Sequence, residues 1–305
     1  MIANIIFMSI RIRIKKTKPT RISRASNVSG PRISPSRKPQ AFPALKCEPG
    51  TYDSVKASRH LQNKGYVLLP VFANYGKLYP EMIKEIEKML LSFPEYKRHP
   101  TDPTKTPDGQ DIKYVQGGFS ALGNPASFHH PLVRLLREWV FSCAYPALKE
   151  FDKLIPGGPR NLEYLMDRFM SRPKGSQITA DHWHRDTSKD SLDGDDIFGG
   201  WINLDNKNQC YSANPENYVQ GKNKGKGFEM PSKAEKAEAI KNKRRIVIPP
   251  GNLLIFFQNG LHEIVATKFS HHMYRMFTAF RLTHGTTPMY KGSAGKKMKI
   301  GRAHV

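Results

Sequence analysis

Two side chains of types that can bind metals occur past the middle of the chain at the spacing of alternate residues in a β-strand. In the segment ADHWHRD, which covers residues 180–186, His184 and Asp186 are two residues apart. Alternate side chains of a strand point to the same face, so this imidazole and this carboxylate would project together. The pair suits Fe(II), and a second histidine from another strand would complete a face of two histidines and one carboxylate.

The same segment allows other interpretations. An isolated His-x-Asp pair is more often an ordinary surface or core pair than a metal site. His182 would share a strand face with residues 184 and 186, which makes it a rival ligand, although a structural role beside the site is the simpler interpretation. The intervening Trp183 and Arg185 are expected to face outward or to pack against helices.

Short strands separated by turn residues surround this segment. Eight runs after residue 159 are apolar throughout or alternate apolar with polar residues, and Gly, Pro, Asn and Asp interrupt them. This texture predicts a sandwich or barrel of jelly-roll type. The expected strands cover 162–171, 180–186, 198–204, 209–212, 244–249, 252–257, 262–267 and 273–283.

Helical periodicity precedes these strands. Residues 61–72 indicate a helix end, a glycine turn and a short buried strand, and residues 79–93 predict a helix with Pro80 in its first turn. A second helix is predicted over 131–151, and the segment 213–243, with a short polar helix, is interpreted as an insertion over one end of the barrel. The predicted fold class is mainly β with flanking α: a double-stranded β-helix (jelly-roll) core with N-terminal helices packed on it.

The order of the motifs along the chain is informative. A strand with His-x-Asp is followed by several strands, then by His262, and then by Arg275 near the start of the last strand. This order resembles the 2-oxoglutarate/Fe(II)-dependent oxygenase superfamily, most closely its phytanoyl-CoA dioxygenase-like branch. The resemblance covers roughly residues 60–283 and is strongest in SRPKGSQITADHWHRD, FGGWINLDNKNQ, IPPGNLLIFFQNGLHEIV and YRMFTAFRLT. The phrase GGWINLD is also similar to proteins of this branch in large DNA viruses and algae.

The resemblance implies a role for each matching residue. His184, Asp186 and His262 would hold Fe(II), and Arg275 would form a bidentate ion pair with the distal carboxylate of 2-oxoglutarate. A planar guanidinium matches a carboxylate, and an apolar barrel would strengthen their pairing. The implied activity is a dioxygenase that hydroxylates an unidentified organic substrate and releases succinate and CO2.

The arginine that binds the co-substrate has a rival. Many relatives place a hydroxyl residue two positions after this arginine, whereas Phe277 occupies that position here. Arg281 does have this spacing to Thr283. Arg275 is preferred, because an arginine early in the last strand lies deep in the barrel.

Two residues of the first barrel strand are further candidates. Tyr164 and Arg168 would help to bind the co-substrate, or they would be packing or surface residues. Trp201 and Asn203 share a face of a later strand, and Trp201 is expected to belong to the core rather than to a substrate platform.

Charge divides the chain into three parts. Residues 1–46 contain 11 basic and no acidic residues, and residues 286–305 contain five basic and no acidic ones, so only +7 of the net charge of +23 remains for 47–285. We expect a basic disordered arm (1–46), an oxygenase-like domain (47–285) and a basic tail (286–305). Basic tails commonly contact a polyanion such as nucleic acid. The alternative to an enzyme is therefore a catalytically inert jelly-roll structural or assembly protein, for example of a virion, with an arm that binds nucleic acid or another polyanion.

The cysteines and the apolar segments bound the location of the protein. Cys47, Cys143 and Cys210 have no C-x-x-C spacing, which argues against a disulfide framework or zinc knuckle and favours a reducing compartment. The apolar run 2–10 is too short to span a bilayer, and its basic residues follow it rather than precede it. A soluble, cytoplasmic or virion-associated protein without a membrane span is expected.

Overall fold

The computed structural model describes residue 42 and residues 45–92, 120–122, 130–172, 183–186, 195–214, 230–263 and 271–285. The helices in these ranges are α1 (Ser54–Lys64), α2 (Tyr75–Leu91), α3 (Pro131–Leu154) and α4 (Lys233–Asn242). The strands are β1 (Tyr66–Pro70), β2 (Ser120–Leu122), β3 (Asn161–Arg172), β4 (Asp196–Asn203), β5 (Gln209–Asn214), β6 (Arg244–Ile248), β7 (Asn252–Phe257), β8 (Leu261–Glu263) and β9 (Met273–Thr283).

These strands form two antiparallel sheets. The large sheet has the order β1-β7-β4-β9-β3-β2, and the small sheet has the order β6-β5-β8. His184 and His262 extend the small sheet by one bridge: each backbone N–H donates to the other residue's carbonyl, at 2.9 and 3.0 Å. The segment 183–186 therefore lies beside β8.

The two sheets pack face to face. Trp201 and Phe256 of the large sheet share a hydrophobic cluster with Tyr211 and Ile246 of the small sheet. The ring centroids of Tyr211 and Phe256 are 4.8 Å apart, and those of Trp201 and Tyr211 are 5.5 Å apart. Two antiparallel sheets that enclose a common interior confirm the predicted jelly-roll core.

The opposite face of the large sheet carries the helices. Side chains of α1, α2 and α3 form one core with alternate residues of β3, β4, β7 and β9. Phe151 of α3 contacts Phe198 and Phe257 with ring centroids 5.5 and 5.6 Å apart. Burial of this apolar layer confirms that the N-terminal helices pack on the sheet.

Most predicted elements lie where periodicity placed them, with two corrections in the N-terminal half. Helix α2 begins at Tyr75, because the carbonyl of Asn74 accepts hydrogen bonds from Lys77 and Leu78 and so forms an earlier first turn. Pro80 therefore lies inside the helix rather than in its first turn. Strand β2 was not predicted, since three residues are too few to show a period.

Some predictions fall wholly or partly outside the described residues. These include most of the basic arm, the basic tail, His182 and the first part of its predicted strand. Leu45 is fully buried in the helix-side core and Phe42 packs against it, so the described packing extends before the predicted boundary at residue 47. Among the described helices, none is long and apolar enough to cross a membrane.

Candidate metal centre

Three donor side chains from distant parts of the sequence meet at the edge of the small sheet. The bridge between His184 and His262 places their imidazole rings with centroids 4.3 Å apart. Nε2 of His184 lies 3.6 Å from Oδ1 of Asp186, and Nε2 of His262 lies 3.8 Å from Oδ2 of the same carboxylate. One ligand atom from each residue lies within 4.8 Å of the other two.

The environment of His262 leaves one ring nitrogen available. Its Nδ1 lies 3.0 Å from the carbonyl oxygen of Gly260, where a neutral ring donates from Nδ1 and keeps the lone pair of Nε2. Burial, reinforced by the neighbouring His184, lowers the pKa of His262 to about 4. The imidazole is therefore neutral near pH 7, which is the form that binds metals.

The carboxylate is ionised in this setting. Burial alone would raise the pKa of Asp186, but the attraction of His262, His184 and Arg168 outweighs it, so the pKa lies below its ordinary value. Two imidazoles and one carboxylate on one side of a site are the donor set that non-haem Fe(II) oxygenases use. The residues present therefore fit Fe(II).

Trp183 and Arg185, which alternate with the donors, pack on the other side of this segment. Arg185 is buried; its Nε donates to the carbonyl of Asn259 at 2.9 Å, and its Nη2 lies 3.1 Å from Oε1 of Glu235 on α4. Trp183 packs with Leu261 and with Ala239 of the same helix. Trp183 and Arg185 thus pack against a helix as predicted, and the helix belongs to the predicted insertion.

Aromatic rings surround His262 on the inner side. Tyr211 and Phe256 lie with ring centroids 5.4 and 5.0 Å from the imidazole. Trp201 lies beside both rings, and its Nε1 donates to Gln209 at 2.9 Å. Trp201 is a core residue as predicted. Nδ2 of Asn203 donates hydrogen bonds to the carbonyl oxygens of Lys207 and Ile248.

The two rival arginines of β9 share the interior face but have different surroundings. Cζ of the buried Arg275 lies 4.5 Å from the ring centroid of Trp201. Nε of Arg281 donates to Asp195 at 2.7 Å, and its Nη1 lies 3.5 Å from Glu163. Two carboxylates therefore already hold Arg281.

The two candidates on β3 are separated by a β-bulge. Tyr164 is opposite Phe280, but the register then shifts, and Arg168 is opposite Phe277. Tyr164 packs against Phe280 and Phe141 on the helix side, with ring centroids 5.3 and 6.2 Å away. Arg168 faces the interior. Tyr164 thus lies among the packing residues, which is one of its two predicted roles, because one extra residue in the strand reverses the face.

Sequence reasoning missed Glu235 and Tyr211. Glu235 is also the third residue of an N-terminal capping box with Ser232, so its pattern indicated a helix start and nothing about the metal strand. Tyr211 reaches His262 only because Ala213 pairs with His262 across the small sheet. Neither contact follows from local spacing.

The site can be compared with known proteins. No protein-family model and no curated protein sequence matches the chain. Many solved structures are similar, and three of them are described here. EvdO2 from Micromonospora carbonacea var. aurantiaca, complexed with 2-oxoglutarate, has 12% identity over 82% of this chain and 98% of its own, with a TM-score of 0.48. SnoN, a non-heme alpha ketoglutarate dependent epimerase from nogalamycin biosynthesis, has 10% identity over 79% and 86%, with a TM-score of 0.48. EctD from S. alaskensis with bound Fe has 14% identity over 80% and 82%, with a TM-score of 0.46. Similarity at this level assigns neither an activity nor a substrate to this chain.

Proposed function

We propose that the protein is an Fe(II)- and 2-oxoglutarate-dependent dioxygenase of the phytanoyl-CoA dioxygenase-like branch, which hydroxylates an organic substrate. The observation that carries the proposal is the convergence of His184, Asp186 and His262 at the edge of a jelly-roll interior. When bound, Fe(II) and 2-oxoglutarate supply the oxidation: O2 is consumed, 2-oxoglutarate gives succinate and CO2, and a substrate C–H bond becomes C–OH.

The protein's own residues would bind and orient the reactants. His184, Asp186 and His262 would hold Fe(II), and Arg275 would pair with the distal carboxylate of 2-oxoglutarate. Arg275 is preferred over Arg281, because Asp195 and Glu163 already neutralise the latter. The rings beside His262 make this interior apolar, which strengthens ion pairs and keeps water from the reacting atoms.

The structural alternative receives less support. A scaffold protein has no need for a partly buried carboxylate that faces two buried imidazoles, because taking polar groups out of water is costly. Contact of the basic arm and tail with a polyanion is compatible with either function. Both segments lie almost wholly outside the described residues. The proposed enzyme would use them as electrostatic tethers.

Anaerobic titration with Fe(II) and 2-oxoglutarate tests the proposal. The wild-type protein is expected to develop a metal-to-ligand charge-transfer absorption and, once given oxygen, to release succinate. His184→Ala should lose the absorption, and Arg275→Gln should need about tenfold or more 2-oxoglutarate, because a charge-assisted ion pair is lost.

An exposed arginine provides the control. Arg134 lies on the solvent side of α3, so Arg134→Gln should behave like the wild type. Failure of the wild-type protein to bind 2-oxoglutarate in the presence of Fe(II) would remove the proposed function. Retention of the absorption in His184→Ala would show that other residues bind the metal.

A further inference from the structure

Strand β3 carries an interior cation, Arg168, that has no role in the proposed function so far. Arg168 lies opposite Phe277, so its side chain faces the interior between the two sheets. Its side chain is largely buried there. No carboxylate of the described residues lies within ion-pair distance of its guanidinium, although ion pairs with Arg137, Arg160, Arg185 and Arg281 are found in the same ranges.

The carboxylate that interacts electrostatically with Arg168 belongs to Asp186, a proposed metal ligand. Burial lowers the pKa of Arg168, and Asp186 acts in the opposite direction, so the guanidinium lies within electrostatic range of this carboxylate. A metal ion held by Asp186 would engage that carboxylate's charge, and the partly buried guanidinium would then favour an anion from another source, because a charge withdrawn from water without a partner is unfavourable.

The position of Arg168 relative to Arg275 indicates where this anion would lie. Met170 is opposite Arg275 in the β3–β9 ladder, and Arg168 is one interior position further along β3. The two arginines are therefore diagonal neighbours on one face, within reach of long side chains. An anion at Arg168 would lie beside the metal ligands and next to the proposed co-substrate.

Charge also distinguishes this anion from 2-oxoglutarate. The co-substrate has two carboxylates, one for the metal and one for Arg275 under the proposed function. Arg281 already has Asp195 and Glu163. Among the residues that the structure describes, Arg168 is thus the interior arginine that remains for a third anionic group.

We propose that Arg168 binds an anionic group of the primary substrate, which is therefore an organic carboxylate, phosphate or sulfate rather than a neutral hydrocarbon. This inference rests on the proposed function. It makes Arg168 a specificity-determining residue rather than a second anchor for 2-oxoglutarate.

The test uses sodium sulfate as the anionic probe and the full-length protein loaded anaerobically with Fe(II) and 2-oxoglutarate. Sulfate is titrated at constant ionic strength while the charge-transfer absorption and the melting temperature are recorded. The wild type and Arg134→Gln should show a saturable change. Arg168→Gln should respond only at about tenfold higher sulfate, because a charge-assisted contact is lost, and Arg168→Lys should be intermediate.

Affinity for 2-oxoglutarate distinguishes a substrate-binding role of Arg168 from a role in binding the co-substrate. Arg168→Gln should retain it within about threefold of the wild type, whereas Arg275→Gln should not, since only the latter loses the proposed co-substrate ion pair. An equal loss of 2-oxoglutarate binding in both variants would overturn the inference. So would a sulfate response that is absent from the wild type or unchanged in Arg168→Gln.

The inference and the proposed function fail in different ways. A wild-type protein with a normal charge-transfer absorption but no response to sulfate contradicts the inference alone. A wild-type protein without any absorption contradicts the proposed function. Because a largely buried cation without a described partner contributes little to stability, Arg168→Gln is expected to fold, and its melting temperature without sulfate checks this.

Discussion

The two faces of the large sheet are made by the same strands and differ in what they carry. On β9, Tyr274, Met276, Phe280 and Leu282 face the helices in one apolar core. Arg275, Phe277 and Arg281 alternate with them and face the interior between the sheets. One face is thus almost entirely hydrocarbon, while the other combines aromatic rings with cations.

Within a single strand, the residues that face the helices therefore contribute mainly to folding stability. The residues that face the interior contribute mainly to the proposed site. The helix side buries large aromatic side chains at close to zero exposure, which is the main favourable contribution to folding. The interior side of the large sheet carries the arginines. The metal donors His184 and His262 lie across the interior, on the small sheet. Substitutions on alternate residues of one strand should therefore affect different properties.

The largest expected effect on stability is on the helix side. Phe280→Ala should lower the free energy of unfolding by about 3–5 kcal/mol, because it leaves a cavity in a packed core. The matched variant Phe277→Ala, at a half-buried interior position, should cost less and should alter the charge-transfer spectrum instead. Urea unfolding of both metal-free variants measures the difference. Equal destabilisation would erase the proposed division between the faces.

A smaller effect is expected from the outer side of the metal strand. Glu235→Gln removes the charge that partners the buried Arg185, so residues 183–186 should be held less firmly. Fe(II) affinity should fall about tenfold, the lower end of what partners outside the ligand shell contribute. Glu238→Gln, exposed on the same helix, is the control and should bind Fe(II) like the wild type. If Glu235→Gln binds Fe(II) with unchanged affinity, the ion pair does not position the ligands.

The smallest effect concerns acid stability at the end of α3. Burial alone would raise the pKa of Asp152, but hydrogen bonds from Arg160 and Lys149 outweigh it and lower the pKa below 3.8. A lowered carboxyl pKa contributes stability above its unfolded value, and this is lost as the pH falls through the folded value. Asp152→Asn should weaken the dependence of the melting temperature on pH below about 4, whereas Glu150→Gln, in a more exposed ion pair, should not. Identical pH profiles for Asp152→Asn and the wild type would contradict this account.

The sequence by itself determined most elements and one pair of donors. Period-2 and period-3.6 patterns are local, so they located β7 and β9 at their observed bounds and α3 within three residues. Strand alternation likewise placed His184 and Asp186 together and Trp183 and Arg185 on the other side. These features depend only on neighbours in the chain.

Tertiary structure decided which distant residues meet. The bridge that brings His262 to His184 joins positions 78 residues apart in sequence. The bulge in β3 moved Tyr164 to the helix side and left Arg168 inside, and Asp195 and Glu163 distinguished Arg281 from Arg275. Register, bulges and ion-pair partners follow from how strands and helices pack against one another, and no local period in the sequence encodes them.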